Sequence, residues 1–87
     1  MFRARIRITL RASILDPQGK AVEHAIGAMG FSGIHGVRMG KYVELQVDRP
    51  TRDEAARATE EVCRKLLANP VMEDFQFEIE PVQGDGR

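Results

Sequence analysis

The residues of this chain whose types could do chemistry are two histidines, one cysteine and a cluster of glycines. His24 and His35 could move protons or ligate a metal, but neither has a Cys or His at ligand spacing. His24 projects to the polar side of its helix and His35 sits in a loop, so solvated surface imidazoles are the default reading. Cys63 could act as a thiolate nucleophile if its pKa were depressed. It sits mid-helix beside Val62, where a buried, inert thiol is the stronger reading. Glu60 and Glu61 read as a solvated helix face. Gly27, Gly30, Gly33, Gly36 and Gly40 bring a phosphate cradle to mind, but such a loop must lead from a strand into a helix N-terminus. This stretch leads out of a helix and into strands, and Tyr42, not Ser or Thr, follows Gly40-Lys41. No catalytic, cofactor-binding or metal-ligating set emerges.

The elements that would position these residues follow from periodicity. Phe2, Ala4, Ile6, Ile8 and Leu10 alternate with Arg3, Arg5, Arg7, Thr9 and Arg11, which predicts a strand with one wet face. Asp16-Pro17 is a helix start: Asp caps free N–H groups, and Pro at the first helical position loses no needed bond. Val22, Ala25, Ile26 and Met29 share one helical face, and Gly30 is placed to end that helix in the left-handed conformation. Val37 to Met39 and Val43 to Val47 read as two short strands, with a tight hairpin at Gly40-Lys41. Thr51 and Glu54 form a capping box before an Ala-rich helix. Ala55, Ala58, Thr59, Val62 and Leu66 line one side of it, with Cys63 and Leu67 at the margin, and Asn69-Pro70 stops it. Phe75, Phe77 and Ile79 alternate with Asp74, Gln76, Glu78 and Glu80 in a last strand. The expected fold is α+β, a two-layer sandwich of order β-α-β-β-α-β: an antiparallel sheet with two helices on one face, ferredoxin-like or related. Residues 1–82 form the single domain, and 83–87 a flexible C-terminal tail.

Composition narrows the function classes. The 87 residues carry 13 Lys plus Arg against 13 Asp plus Glu, a net charge of zero. That argues against nucleic-acid or anionic-membrane partners, which need excess positive charge. No apolar run approaches the ~20 residues of a membrane span. A single Cys allows no intrachain disulfide and suits a cytoplasmic, reducing setting. A domain this small is often completed by oligomerisation. The charges are segregated: residues 1–11 hold four Arg and no acid, and residues 71–82 hold four acids and no base. If the first and last strands are neighbours, Arg3, Arg5 and Arg7 face Glu78 and Glu80.

The segment LDPQGKAV (Leu15 to Val22) resembles the loops that open the first helix of ACT domains, which imply a regulatory small-molecule-binding role as one alternative. A freestanding enzyme on a ferredoxin-like scaffold, such as a small phosphatase, is another. Taken with VRMGKYVEL (Val37 to Leu45) and CRKLLANPVMEDFQFEIE (Cys63 to Glu80), however, the segment resembles the PurS family, the small subunit of phosphoribosylformylglycinamidine synthase. Order, spacing and overall length all fit.

This second resemblance implies a role in purine biosynthesis. A glutaminase subunit releases ammonia from glutamine, and a large synthetase subunit uses ATP and magnesium to convert formylglycinamide ribonucleotide to its amidine. The small subunit would hold no cofactor and do no chemistry, but bridge the other two, assist ammonia transfer, and form a homodimer or dimer of dimers. Candidate subunit contacts are stretches that the fold alone does not demand. They are Asp16, Gln18, Gly19 and Lys20 at the first helix start, Arg38, Gly40, Lys41 and Tyr42 at the expected hairpin, and Asn69, Pro70 and Met72 after the second helix.

Overall fold

The structure, a computed structural model, describes residues 1–82. The expected tail at 83–87 lies outside the described residues. The elements are β1 (Phe2–Leu10), α1 (Pro17–Ala28), β2 (Gly40–Val47), α2 (Arg52–Val62), which runs on as one π-helical turn (Cys63–Leu67), and β3 (Glu73–Pro81). The strands form one antiparallel sheet in the order β2-β1-β3. The class is the expected one, an antiparallel sheet with two helices.

The alternation in β1 becomes two surfaces. Ala4, Ile6 and Ile8 are fully buried and pack with Val47, Ala55, Cys63 and Ala68, while Phe2, Val43, Leu45, Phe75, Phe77 and Ile79 close the sides of that cluster. On the other face the register sets Arg3 opposite Glu80 and Arg5 opposite Glu78. Arg3 and Arg5 both reach Glu80, at 3.3 and 3.0 Å, and Arg7 reaches Glu78 at 3.5 Å. The segregated charges of the two ends therefore meet within one sheet. These pairs are half-exposed, so each contributes only about 0–1 kcal/mol. Their larger effect is on register, since a slip of one residue would bring arginines into the core.

Three details differ from the pattern expected from sequence. Val37 to Met39 form no strand, and no hairpin turns at Gly40-Lys41. A two-residue hairpin needs positive φ, and neither Gly40 nor Lys41 has it; the left-handed glycines are Gly30, Gly33 and Gly36. Gly40 instead opens β2 opposite Thr9, so close to β1 that an added Cβ would lie 2.6 Å from the Ile8 carbonyl oxygen. The chain from residue 31 onward therefore enters β2 with no strand or hairpin before it.

The second difference is the phase of α2. Thr51 caps it as expected, accepting from the Glu54 N–H at 3.2 Å. The buried seam, however, is Ala55, Thr59 and Cys63, not Val62 and Leu66; Leu66 is 78% exposed. Thr59 fits the core because its hydroxyl donates to the Ala55 carbonyl at 2.8 Å. The π turn adds a residue to the final coil, with the Ala68 N–H reaching back to the Cys63 carbonyl.

The third concerns α1. Asp16 caps it and Gly30 ends it with φ +93°, as expected. Its apolar face does not pack inside the chain: Val22, Ala25 and Met29 are exposed, and Met29 is 73% so. Only α2 makes substantial contact with the sheet. The chain consequently extends over 50 × 29 × 16 Å with a radius of gyration of 16.7 Å, against about 12 Å for a compact chain of this length.

The core therefore rests on few side chains. Ile6→Ala is expected to cost about 2–5 kcal/mol, a large share of the stability of so small a domain. Urea unfolding at one fixed protein concentration measures it.

Candidate functional site

Most of the candidate contact residues converge on one end of the sheet, where β1 leaves and β2 and β3 enter. Asp16 organises this head. Its Oδ1 accepts from the Gly19 N–H at 2.9 Å and its Oδ2 from the Met39 N–H at 2.8 Å. One carboxylate thus caps α1 and holds the chain that runs into β2. The Gly19 and Met39 amides lower the Asp16 pKa, aided by Arg38 and opposed by burial. Gly19 is buried because the Val37 carbonyl passes over it; an added Cβ would lie 2.4 Å from that oxygen. Glu23 fastens the same passage, accepting from the Val37 N–H at 3.2 Å. The helix start that resembles a ligand loop is thus filled by its own chain.

Arg38 donates to the Leu10 carbonyl and, at 3.0 Å, to that of Arg11. Lys41 crosses to β3, 3.5 Å from both the Leu67 carbonyl and Glu73. Asp16, Gln18, Gly40 and Lys41 line a recess of about 230 Å³ with Ile8, Leu10, Met39 and Glu73. Lys20 borders a second one, of about 290 Å³, with Ile14, Leu15 and Arg38. The 69–73 turn closes the far side. Asn69 accepts from the Val71 N–H on its side chain and from the Met72 and Glu73 N–H groups on its carbonyl. The Pro70 carbonyl accepts from Arg11 at 2.6 Å, and the Met72 carbonyl accepts from the Arg11 N–H at 2.9 Å.

Tyr42 lies apart from this group. One position along β2 from Lys41, it faces the ion-paired side and donates to Glu44 at 2.8 Å. That bond raises its phenol pKa.

Sequence reasoning missed Arg11. Read as one more arginine of an alternating strand, it in fact ties the 70–72 turn to β1 and pairs with Asp74 at 3.3 Å. Its position just past the last buried residue of β1 was the available signal. The two histidines, isolated in sequence, border one concavity of about 690 Å³ between α1 and the loop at 31–35, with Phe31 and Ile34 beside them. Cys63 is fully buried, and burial, with Glu60 nearby, pushes its thiol pKa up. Among the described residues no group of three or more His, Cys, Asp and Glu stands together as a metal set, and no helix is long and apolar enough to cross a membrane.

The sign of the Asp16 shift sets a pH dependence. Its folded pKa lies below the unfolded value, so its stabilising effect is complete above the latter and is lost as pH falls through the former. Asp16→Asn, with one acceptor oxygen where two are used, is expected to lower the melting temperature at neutral pH. It is also expected to flatten the decline below about pH 4. Circular-dichroism melts across pH measure both effects.

Comparison with known proteins gives a consistent result. Residues 3–81 match the PurS family, described as phosphoribosylformylglycinamidine (FGAM) synthase. The chain is 43% identical over 82 residues to phosphoribosylformylglycinamidine synthase subunit PurS of Bacillus subtilis, covering 94% of this chain and 96% of that one. The crystal structure of Methanocaldococcus jannaschii PurS superposes with a TM-score of 0.85 at 29% identity, covering 95% of this chain and all of the other. A chain in the structure of PurLQS from Thermotoga maritima gives 0.83 at 26% identity, covering 91% of this chain and 96% of that one.

Proposed function

Because the chain belongs to the PurS family of FGAM synthase, we propose that it is the small, non-catalytic subunit of that ligase in purine biosynthesis. The match over residues 3–81 carries this reading. In it the chain works in the cytoplasm beside a glutaminase subunit and a large synthetase subunit. ATP and magnesium act on the synthetase, and this chain holds neither.

Its work is positional. Ammonia released into neutral water is mostly protonated and no longer nucleophilic. An interface that excludes water keeps it neutral and near its acceptor. Bridging of that kind asks for shape and contact surface. Gln18, Lys20, Arg38, Gly40, Lys41, Tyr42, Asn69, Pro70 and Met72 are the candidate contacts that are exposed. Asp16 and Gly19 are buried and shape that surface from within, Gly40 lets β2 lie close against β1, and Asn69 holds its turn.

The chain also assembles with itself. The α1 stripe of exposed Val22 and Met29 with half-buried Ile26 between them is apolar surface that a single copy leaves uncovered, and a second copy is its occupant. Exchange of like elements between copies is a common route to dimers.

Two measurements test these readings. Glutamine-dependent amidine synthesis by the glutaminase and synthetase subunits is expected to require this chain, while synthesis from added ammonia persists without it. Unchanged glutamine-dependent activity on its omission would sink the subunit reading. Sedimentation is expected to show an oligomer at about tens of micromolar and a smaller species for Ile26→Asp. A wild-type monomer at that concentration contradicts the self-assembly.

A further inference from the structure

α1 has a second side. Val22, Ile26 and Met29 share one face, and Lys20, His24, Gly27 and Ala28 fall about half a turn round the helix from it. The loop at 31–35 passes beside this second face. Between the two lies the concavity of about 690 Å³. Gly27 and Ala28 are small residues in its wall, and Phe31 and Ile34, 58% and 46% exposed, stand beside them. An added Cβ at Gly27 would meet nothing within 4 Å, so the wall is open and unfilled by the chain itself.

The polar side chains around it are mostly donors. Lys20, His24 and His35 line the concavity, and among the described residues none of the three side chains has an ion-pair or hydrogen-bond partner. An ammonium offers three N–H donors and each imidazole at least one. Glu23 is the one acid in the lining, and its carboxylate is held at the Val37 amide, accepting at 3.2 Å. Unpaired basic donors around an apolar wall fit a carboxylate carried next to an apolar group, because charge-assisted bonds to a carboxylate are the stronger kind.

A second copy does not fit here. The stripe that a second copy covers is on the opposite side of α1, and a two-fold contact through this side would set Lys20 and the histidines against their own kind. The chain also lacks the matching carboxylate. Glu78 and Glu80 are paired with the arginines of β1, Asp74 with Arg11, Glu73 with Lys41, Glu44 with Arg5, Glu60 with Arg64 and Glu61 with Lys65. Asp48, Asp53 and Glu54 have no side-chain partner among the described residues, but no large apolar side chain is exposed between residues 48 and 54. On the subunit reading above, we infer that this concavity receives an acidic segment with an apolar anchor from another FGAM synthase subunit. Lys20, His24 and His35 donate to its carboxylate, and Phe31 and Ile34 cover the anchor. α1 then meets a second copy with one face and a dissimilar subunit with the other.

Two variants of the full chain, titrated into the glutaminase and synthetase subunits and followed by sedimentation, test this. Lys20→Glu combined with His24→Glu replaces two donors by acids. Gly27→Leu fills the concavity, and Leu in place of Gly favours the helix, so loss of fold does not explain its effect. Each is expected to weaken association with the other subunits about tenfold or more while the homo-oligomer stays intact. If the wild type co-sediments and either variant binds as tightly as it does, the inference is wrong and the subunit reading stands. A variant that breaks the homo-oligomer overturns it as well, because the face then belongs to a second copy. Failure of the wild type to co-sediment overturns the subunit reading and this inference with it.

Discussion

β1 holds the rest of the molecule in place through its position between two strands. Its even-numbered side chains meet α2 and its odd-numbered arginines meet the acids of β2 and β3. Both conditions point to one register, one from each face. The apolar face supplies the energy, because burying Ala4, Ile6 and Ile8 fully removes their area from water. The ionic face supplies little energy but penalises every odd-numbered slip. A sheet of three strands with one covering helix is marginal by itself, so this agreement between faces matters more here than in a larger domain.

The head of the sheet extends that order to α1. Two backbone amides far apart in sequence, those of Gly19 and Met39, share the Asp16 carboxylate. The clamp fixes where α1 begins and where the chain returns, while leaving the outer face of α1 uncovered. Gly19 and Gly40 are required for the same reason at different places: a backbone carbonyl passes within Cβ distance of each. These residues were singled out as contacts because the general fold does not demand them. Packing within the chain accounts for Asp16, Gly19 and Gly40, and most of the others lie around those three, with Tyr42 apart.

Much of the fold was legible because its signals were local. The alternation in β1 and β3, the Asp16 and Thr51 caps and the Gly30 stop each depend on neighbouring residues, and each is found where expected. Features that depend on distant contacts were not legible. Ala55 and Thr59 are buried as expected, but Val62 and Leu66, more apolar than Cys63, were set on that side in its place, so only the C-terminal part of the α2 seam was misread. The Thr59 hydroxyl is satisfied inside the helix and fits the core. Val37 to Met39 have strand-like composition, but the Asp16 clamp and the Gly40 approach to Ile8 hold them as an irregular lead-in to β2. The head of the sheet could not be read at all from spacing, since Arg11, Arg38 and Pro70 meet only through β1 and β3.

The uncovered surfaces form a consistent set. α1 has an apolar stripe with no intrachain partner, and β3 has a free edge beside an aromatic groove. An independent globular protein would bury or blunt both. Their chemistry differs, and so should what covers them. The α1 stripe is apolar, whereas the acids of β3 are each paired within the chain, Glu80 with Arg3 and Arg5, Glu78 with Arg7, Asp74 with Arg11 and Glu73 with Lys41. Segregating charge along the chain, basic at the start and acidic at the end, fixes the sheet within one copy.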